Sequence, residues 1–510
     1  MPNSKVGPES EFRIHYFSSG GYPMSAPAVT ETENLSPSPV VQRKGAALAL
    51  LVAVQFMLVL DSTIVAVAMP SLGEDLGFSQ ANLTWVTNAY LLLFGGFLML
   101  GGRLSDLVGR RRLFAISLVV FAAASLLGAL AASPTMMIAA RSLQGLASAF
   151  AAPAALSLLM TVFPNGTAEE QTQRNKAMGI YGAVSGAGGA AGMILGGLLT
   201  DWFGWSAVFY VNVPIALIAV LLSAGLLPAD RGGRASGGFD LGGALLSTGG
   251  LALLVYVLVE AEKVGWGSAR TLGLGALALA LLGAFLLVES RIKQPLVPLG
   301  IFRKRTLRGA NLVGGLIPMA VIPAIFFLTL YTQLVRGFSP LKSGLALVPL
   351  ALCVVLSATN VGRVLPRLGL RWTTALGTLL VLAGTLWAAQ IDQGAFFVEQ
   401  FGPEVLTGLG GGTVWVCATV AATAEASEEE AGLASGLFNT ANQVGAALGL
   451  AILATVAGAA TKSAVGDGDA LPAALTHGYH TALLGSAGFA LLATIGALVL
   501  LPGRTPTAQS

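Results

Sequence analysis

Fourteen runs of about 20 apolar residues punctuate this chain, each long enough to cross about 30 Å of hydrocarbon as a helix. Backbone inside lipid must satisfy its own hydrogen bonds, so such runs fold as helices rather than as open strands. Only 10% of the residues are charged, against about 25% in a soluble domain, which excludes a water-soluble enzyme or a nucleic-acid-binding protein. The expected fold class is an all-α polytopic membrane protein with 14 transmembrane helices. The spans read from the sequence are 46–69, 82–101, 112–131, 135–162, 178–200, 205–227, 241–260, 271–289, 308–331, 342–361, 373–391, 403–424, 431–459 and 478–501.

An even number of spans puts both ends on one side. If that side is the cytoplasm, the inner segments hold 22 Lys or Arg and the outer loops 5 (Lys263, Arg270, Arg336, Lys342 and Lys462). That asymmetry predicts cytoplasmic termini. Residues 1–44 are polar, carry Ser-Pro-Ser-Pro at 36–39 and are expected to form a disordered cytoplasmic tail; Met24 is an alternative start. Cys353 and Cys417 fall inside spans and read as buried thiols, and the three histidines form no cluster, so neither metal nor cofactor is expected. Walker A, Gly-x-Ser-x-Gly and His-Glu-x-x-His patterns do not occur, which argues against an enzyme, including an ATP-driven pump.

The segment Gly102-Arg103-Leu104-Ser105-Asp106-Leu107-Val108-Gly109-Arg110-Arg111 is echoed by Gly362-Arg363-Val364-Leu365-Pro366-Arg367-Leu368-Gly369-Leu370-Arg371. The first copy joins spans 2 and 3, the second spans 10 and 11, an offset of eight helices. A duplicated six-helix unit with spans 7 and 8 inserted between the copies accounts for it. The expected organisation is a six-helix bundle over 45–227, a linker with two inserted helices over 228–306, a second bundle over 307–502 and a cytoplasmic tail at 503–510.

Asp61 is the sole carboxylate read as lying well inside a span, and Arg141 lies within span 4. At 1.5 Å per residue, Asp61 sits about 12 Å and Arg141 about 9 Å below the outer helix ends, so the two side chains are able to meet. An acid at that depth pairs, faces a cavity or carries a proton; a static ion pair and a proton site both fit. Finding no carboxylate within the C-terminal spans favours neutral, zwitterionic or weakly anionic lipophilic cargo over a permanent cation. Asn88, Tyr90, Gln144, Tyr331, Gln333, Asn439 and Gln443 are the polar and aromatic candidates for cargo binding.

The pattern Gly-x-Leu-x-Asp-x-x-Gly-Arg-Arg from Gly102 to Arg111 closely resembles the signature loop of the major facilitator superfamily. The resemblance implies a cytoplasmic gate of Gly102, Arg103, Asp106, Gly109, Arg110 and Arg111. Asp106 would meet the start of span 13, where Glu428, Glu429 and Glu430 would face Arg110, Arg111 and Arg112. Leu60-Asp61-x-Thr63-Ile64-Val65 with Pro70, and Arg141-x-x-Gln144-Gly145, look like motifs of proton-coupled drug exporters, which implies proton coupling through Asp61 and Arg141. The asparagine often found five positions after the acid is Ala66 here.

Span 5, with Gly182, Gly186, Gly188, Gly189, Gly192, Gly196 and Gly197, precedes Asp201-Trp202-Phe203-Gly204-Trp205 and Phe209-Tyr210-Val211-Asn212-Val213-Pro214. Together they resemble the antiporter motif of fourteen-span drug/proton antiporters, although Met193 replaces the usual proline and Ser206 the usual arginine. The antiporter helix is expected to pack closely through Gly182, Gly186, Gly189, Gly192 and Gly196. Over about 45–502 the resemblance implies two six-helix bundles plus two additional helices. It further implies a monomeric proton-coupled exporter of lipophilic drugs or antibiotics in the bacterial plasma membrane, working by alternating access and binding no nucleic acid. An importer of a siderophore or small nutrient and a non-transporting membrane sensor are the alternatives.

Overall fold

The computed structural model describes residues 44–164, 166–230, 240–292, 295, 297, 299–391, 400–425 and 428–503; the expected tails at 1–44 and 503–510 lie almost wholly outside them. The described elements are helical: α1 (Lys44–Leu76), α2 (Gln80–Val108), α3 (Arg110–Ala129), α4 (Pro134–Val162), α5 (Ala168–Phe203), α6 (Ala207–Tyr210), α7 (Asn212–Leu226) and α8 (Leu241–Val264). There follow α9 (Ala269–Arg291), α10 (Arg305–Leu330), α11 (Pro340–Ala346), α12 (Val348–Ala388), α13 (Gly402–Thr423), α14 (Glu428–Gly466) and α15 (Leu471–Leu500). Several helices outrun the apolar spans. α5 starts ten residues before span 5 because Thr167 and Glu170 cap it reciprocally: Glu170 N donates to Thr167 Oγ1 (3.2 Å) and Thr167 N to Glu170 Oε2 (3.0 Å).

Among the described residues, 13 segments are long and apolar enough to cross a membrane. One of them, Pro340–Ala388, has 49 residues, which as a single rod would run about 74 Å at 1.5 Å per residue, over twice the hydrocarbon thickness. It holds the expected span 342–361 and all but the last three residues of 373–391, and Gly369 breaks the helix between them with φ 77° and ψ 169°.

That break is the counterpart of Gly109, which separates α2 from α3 with φ 103°. The two halves of the internal echo also do the same work. Arg111 donates from Nη1 to the carbonyls of Ala224 (3.3 Å) and Leu227 (3.4 Å) at the end of α7. Arg371 donates from Nε to the Leu501 carbonyl (2.8 Å) at the end of α15. Each arginine places positive charge on a helix C-terminus, where the carbonyl dipoles favour it. Asp230 completes the first copy by accepting from the amides of Arg111 (2.9 Å) and Arg112 (3.1 Å), capping α3, whose N-cap Gly109 has no side chain to do so. A Cβ on Gly109 would meet the Asp230 carboxyl carbon at 2.5 Å, so position 109 needs glycine for space as well as for φ.

Call the end that carries these arginine turns the basic end. At the opposite end one apolar core draws on both halves of the chain, joining Leu60, Ile64, Met69, Trp205 and Phe209 to Phe327, Tyr331, Leu450, Leu475 and Tyr479. At the basic end the core is divided: Ala47–Leu58 packs with Phe114–Ala122, Ala147–Phe163 and Ala216–Leu227, while Leu307–Ala320 packs with Val361, Leu370, Ala418–Ala422 and Ala490–Leu501. Among the described residues, the halves therefore share one core at the opposite end and have separate cores toward the basic end, where α2 still runs along α14 and Met99 reaches the second core. The inserted helices lie to one side, α8 at the seam between α2 and α14, where Thr455 Oγ1 of α14 donates to the Leu258 carbonyl (2.9 Å). α9 turns Leu272, Leu277, Leu279, Leu286 and Leu287 outward, as a lipid-facing helix should.

Candidate functional site

Asp61, midway along α1, is fully buried, and burial of a charge demands donors. It has three. Arg141 Nη1 on α4 donates to Oδ2 at 2.8 Å, while Gln144 Nε2 (3.1 Å) and Asn212 Nδ2 of α7 (2.7 Å) donate to Oδ1. The spacing of Arg141 and Gln144 puts both on one face of α4, where Arg141 Nη1 also donates to Gln144 Oε1 (2.9 Å) and Gln144 Nε2 to Ser125 Oγ (2.8 Å). Arg141 is anchored further by the Val86 carbonyl (Nε, 3.0 Å) and by the face of Tyr90, 4.3 Å from the guanidinium carbon to the ring centroid. Tyr90 OH in turn donates to Ser148 Oγ (3.2 Å). The expected meeting of Asp61 and Arg141 is thus present. Asn212 and Ser125 belong to it without having been singled out, because a lone polar residue in an apolar run carries no sequence signal about what it faces.

The cargo candidates divide. Tyr90 and Gln144 are committed to the Asp61 network. Tyr331 is buried in the core shared by the two halves, and Gln333 Nε2 ties those halves by donating to the Val67 carbonyl of α1 (2.9 Å). Asn439 donates to the Ser435 carbonyl of its own helix (3.0 Å). Gln443 packs on Gly95 of α2, beside Thr440, whose Oγ1 donates to the Gly95 carbonyl (3.1 Å). Asn88 is fully buried with neither amide atom hydrogen-bonded.

Where α2 turns into α3, Arg103 Nη2 in the last turns of α2 donates to the Pro295 carbonyl (3.2 Å) and Arg110 Nη1 at the start of α3 to Thr161 Oγ1 (2.8 Å). These contacts and those of Arg111 hold the α2–α3 turn to α4, α7 and the segment after α9. The side chains of Asp106 and of Glu428–Glu430 lie outside the described residues. A Cβ on Gly102 would meet nothing within 4 Å, whereas one on its neighbour Gly101 would strike the Ala149 carbonyl of α4; the close approach is at 101.

The α5 glycines differ in the same way. Gly188, Gly192 and Gly196 lie against α1, where a Cβ would meet Val59, Thr63 and the Ile64 carbonyl, and Gly197 lies against Pro340 and Leu341 of α11. Gly182 and Gly189 have nothing within 4 Å, and Gly186 lies within the same helix. Packing uses positions 188, 192 and 196, and the stretch around Gly182 is exposed toward the basic end, where the halves have separate cores.

One expectation needs correction. The C-terminal half does hold an embedded carboxylate: Glu404, in the first turn of α13, is 1% exposed, and neither of its oxygens has a hydrogen-bond partner. Its place two residues from the helix start suggests an interfacial residue, but α12 packs along α13 and covers it.

Two related helical halves, joined at one end by a shared apolar core, with a charge network buried inside the first half, define a multi-pass membrane carrier. The chain belongs to the major facilitator superfamily, whose family model matches residues 51–450, and it is a transporter rather than an enzyme. It is 41% identical over 471 residues to the puromycin resistance protein pur8 of Streptomyces alboniger, covering 91% of this chain and 92% of that one. It is 39% identical to the cephamycin export protein CmcT of Amycolatopsis lactamdurans (87% and 90% covered) and 40% identical to a tetracenomycin C resistance and export protein of Streptomyces glaucescens (82% and 76%). Among solved structures, a bacterial homolog of the human lysosomal transporter Spinster, inward-facing and unoccupied, superposes with TM-score 0.67 at 16% identity, covering 91% of this chain and 97% of that one. The POT family transporter PepTSo gives 0.65 at 18% (89% and 97%). At these identities the structures bear on the fold alone.

Proposed function

We propose that this protein exports lipophilic, antibiotic-like small molecules across the bacterial plasma membrane, driven by protons flowing inward through Asp61 under the influence of Arg141. The relatives named for resistance and export support the cargo class and direction. The observation that carries the coupling is the fully buried Asp61–Arg141 pair at 2.8 Å, whose acid is shared by donors on α4 and α7. Moving any of these helices changes the donor set and hence the affinity of Asp61 for a proton.

In this reading fourteen helices place both termini in the cytoplasm. The basic end faces inward, and the bundles at 45–227 and 307–502 rock about their shared apolar core as a monomer. Separation of the cores at the basic end corresponds to an inward-facing carrier, and the Gly102–Arg111 loop would close it in the outward-facing state by bringing Asp106 to the start of α14. The test is cargo-stimulated proton movement in proteoliposomes with an imposed pH gradient, using puromycin and a cationic dye as probes. Gradient dissipation by puromycin, abolished in Asp61→Asn, is expected; dissipation unchanged in Asp61→Asn would overturn coupling through this residue.

A further inference from the structure

Asp61 and Glu404 are both buried acids, yet their surroundings are opposite. Asp61 has three donors on its two oxygens, one of them a guanidinium. Glu404 has no donor in full hydrogen-bonding geometry and no cation: beside it lie only two neutral amides, that of Gln400, 5% exposed with its Nε2 unpartnered, and the backbone amide of Leu350. Among the described residues, α13 carries no charge besides Glu404, and the α12 stretch 348–361 carries none. Cys353 on that stretch is the titratable group facing this part of α13; His480 of α15 is engaged by the Ile391 carbonyl at the same end. Two neutral amides do not offset the cost of burying a full negative charge with no cation nearby, whereas a neutral carboxylic acid is tolerated there.

The neighbourhood also limits what else could neutralise it. A turn below Glu404, a Cβ on Gly408 would meet the Leu350 carbonyl and, at 2.8 Å, Cys353 Cβ, so α12 and α13 touch directly and leave no room for an organic cation. A metal ion needs several oxygen ligands, and the unpartnered atom beside Glu404 is a nitrogen donor. What fits is a proton.

The geometry points to Glu404 as a proton-binding site in the second half of the molecule, occupied while the end opposite the basic turns is closed. The connection to closure is Leu350. Its carbonyl faces α13, and its side chain packs with Val67 of α1, Met193 of α5, Leu347 and Ala351 where the two halves meet. A proton taken from the aqueous phase onto one carboxylate oxygen forms the O–H that lets α13 seat against α12 behind this contact. Loss of that proton would draw water to Glu404 and loosen the seam. The assignment of the site is independent of Asp61; that it adds a second proton to the cycle rests on the antiport proposed above.

Infrared difference spectroscopy of the full chain in lipid nanodiscs at neutral pH tests it, taking wild type minus Glu404→Gln. Loss of one protonated-carboxyl carbonyl band is expected, and Glu404→Asp should keep such a band at a shifted frequency. Loss of carboxylate stretches instead of the carbonyl band in Glu404→Gln, or a Glu404→Asp spectrum with carboxylate stretches and no such band, would overturn the proposal. Failure of the antiport reading shows elsewhere, as unchanged proton movement in Asp61→Asn, and leaves the Glu404 spectrum untouched.

Discussion

At the scale of single residues the Asp61 network is the most demanding feature, since each partner's burial is tolerated through the others. Removing one member of a buried ion pair strands the other, typically at a cost of about 3–5 kcal/mol. Arg141→Leu should therefore lower the thermal unfolding midpoint strongly, and adding Asp61→Asn should restore much of the loss; an additive double variant would contradict the pairing. Asn212→Leu removes one donor to a charged acceptor, about 1.5–3 kcal/mol, and should destabilise less than Arg141→Leu in the same assay. Asp61 and Arg141 were legible because ionisable residues are rare inside apolar runs, and Gln144 through the Arg141-x-x-Gln144-Gly145 pattern. Asn212, Ser125 and Glu404 were not, since their importance comes from what faces them across helices far apart in sequence.

At the scale of elements, hydrophobic length located nearly every helix, while local backbone chemistry decided where each ends. Gly109 and Gly369 both have positive φ, and the carboxylate of Asp230 occupies the space above Gly109. Gly109→Ala is thus expected to reduce folded yield after detergent extraction. The α5 face gives a sharper comparison. Gly192→Val drives a branched side chain into Thr63 and the Leu60 carbonyl, an overpacking of about 1–3 kcal/mol or more, and should lower the unfolding midpoint, whereas Gly182→Ala, with open space around it, should leave stability within about 0.5 kcal/mol of wild type. Equal effects of the two would refute the packing assigned to α5 and α1. Both residues belong to one glycine-rich run, so spacing alone could not separate the glycine that packs from the glycine that does not.

At the scale of the whole molecule, the two halves are joined at the end away from the arginine turns. Gln333, reaching from beyond α10 to the Val67 carbonyl, is a polar tie across that seam. Its loss in Gln333→Ala removes about 1 kcal/mol, enough to shift a two-state balance roughly fivefold. Spin labels on the opposite-end loops of the two halves should then show a larger population at long distance; an unchanged distribution would mean that the tie does not bias closure.

What the amino-acid sequence determined by itself was the class of fold. Apolar runs of membrane length, basic residues gathered in alternate loops and a ten-residue echo act locally or by simple counting, and need no knowledge of neighbours. The tertiary structure decided which polar groups meet, which glycines are pressed against a partner helix, and that Glu404, close to a helix end, is sealed from water by α12. Those outcomes depend on the packing of helices distant in sequence, where a side chain's surroundings, and so its charge state and its use, are set by residues that no local pattern connects to it.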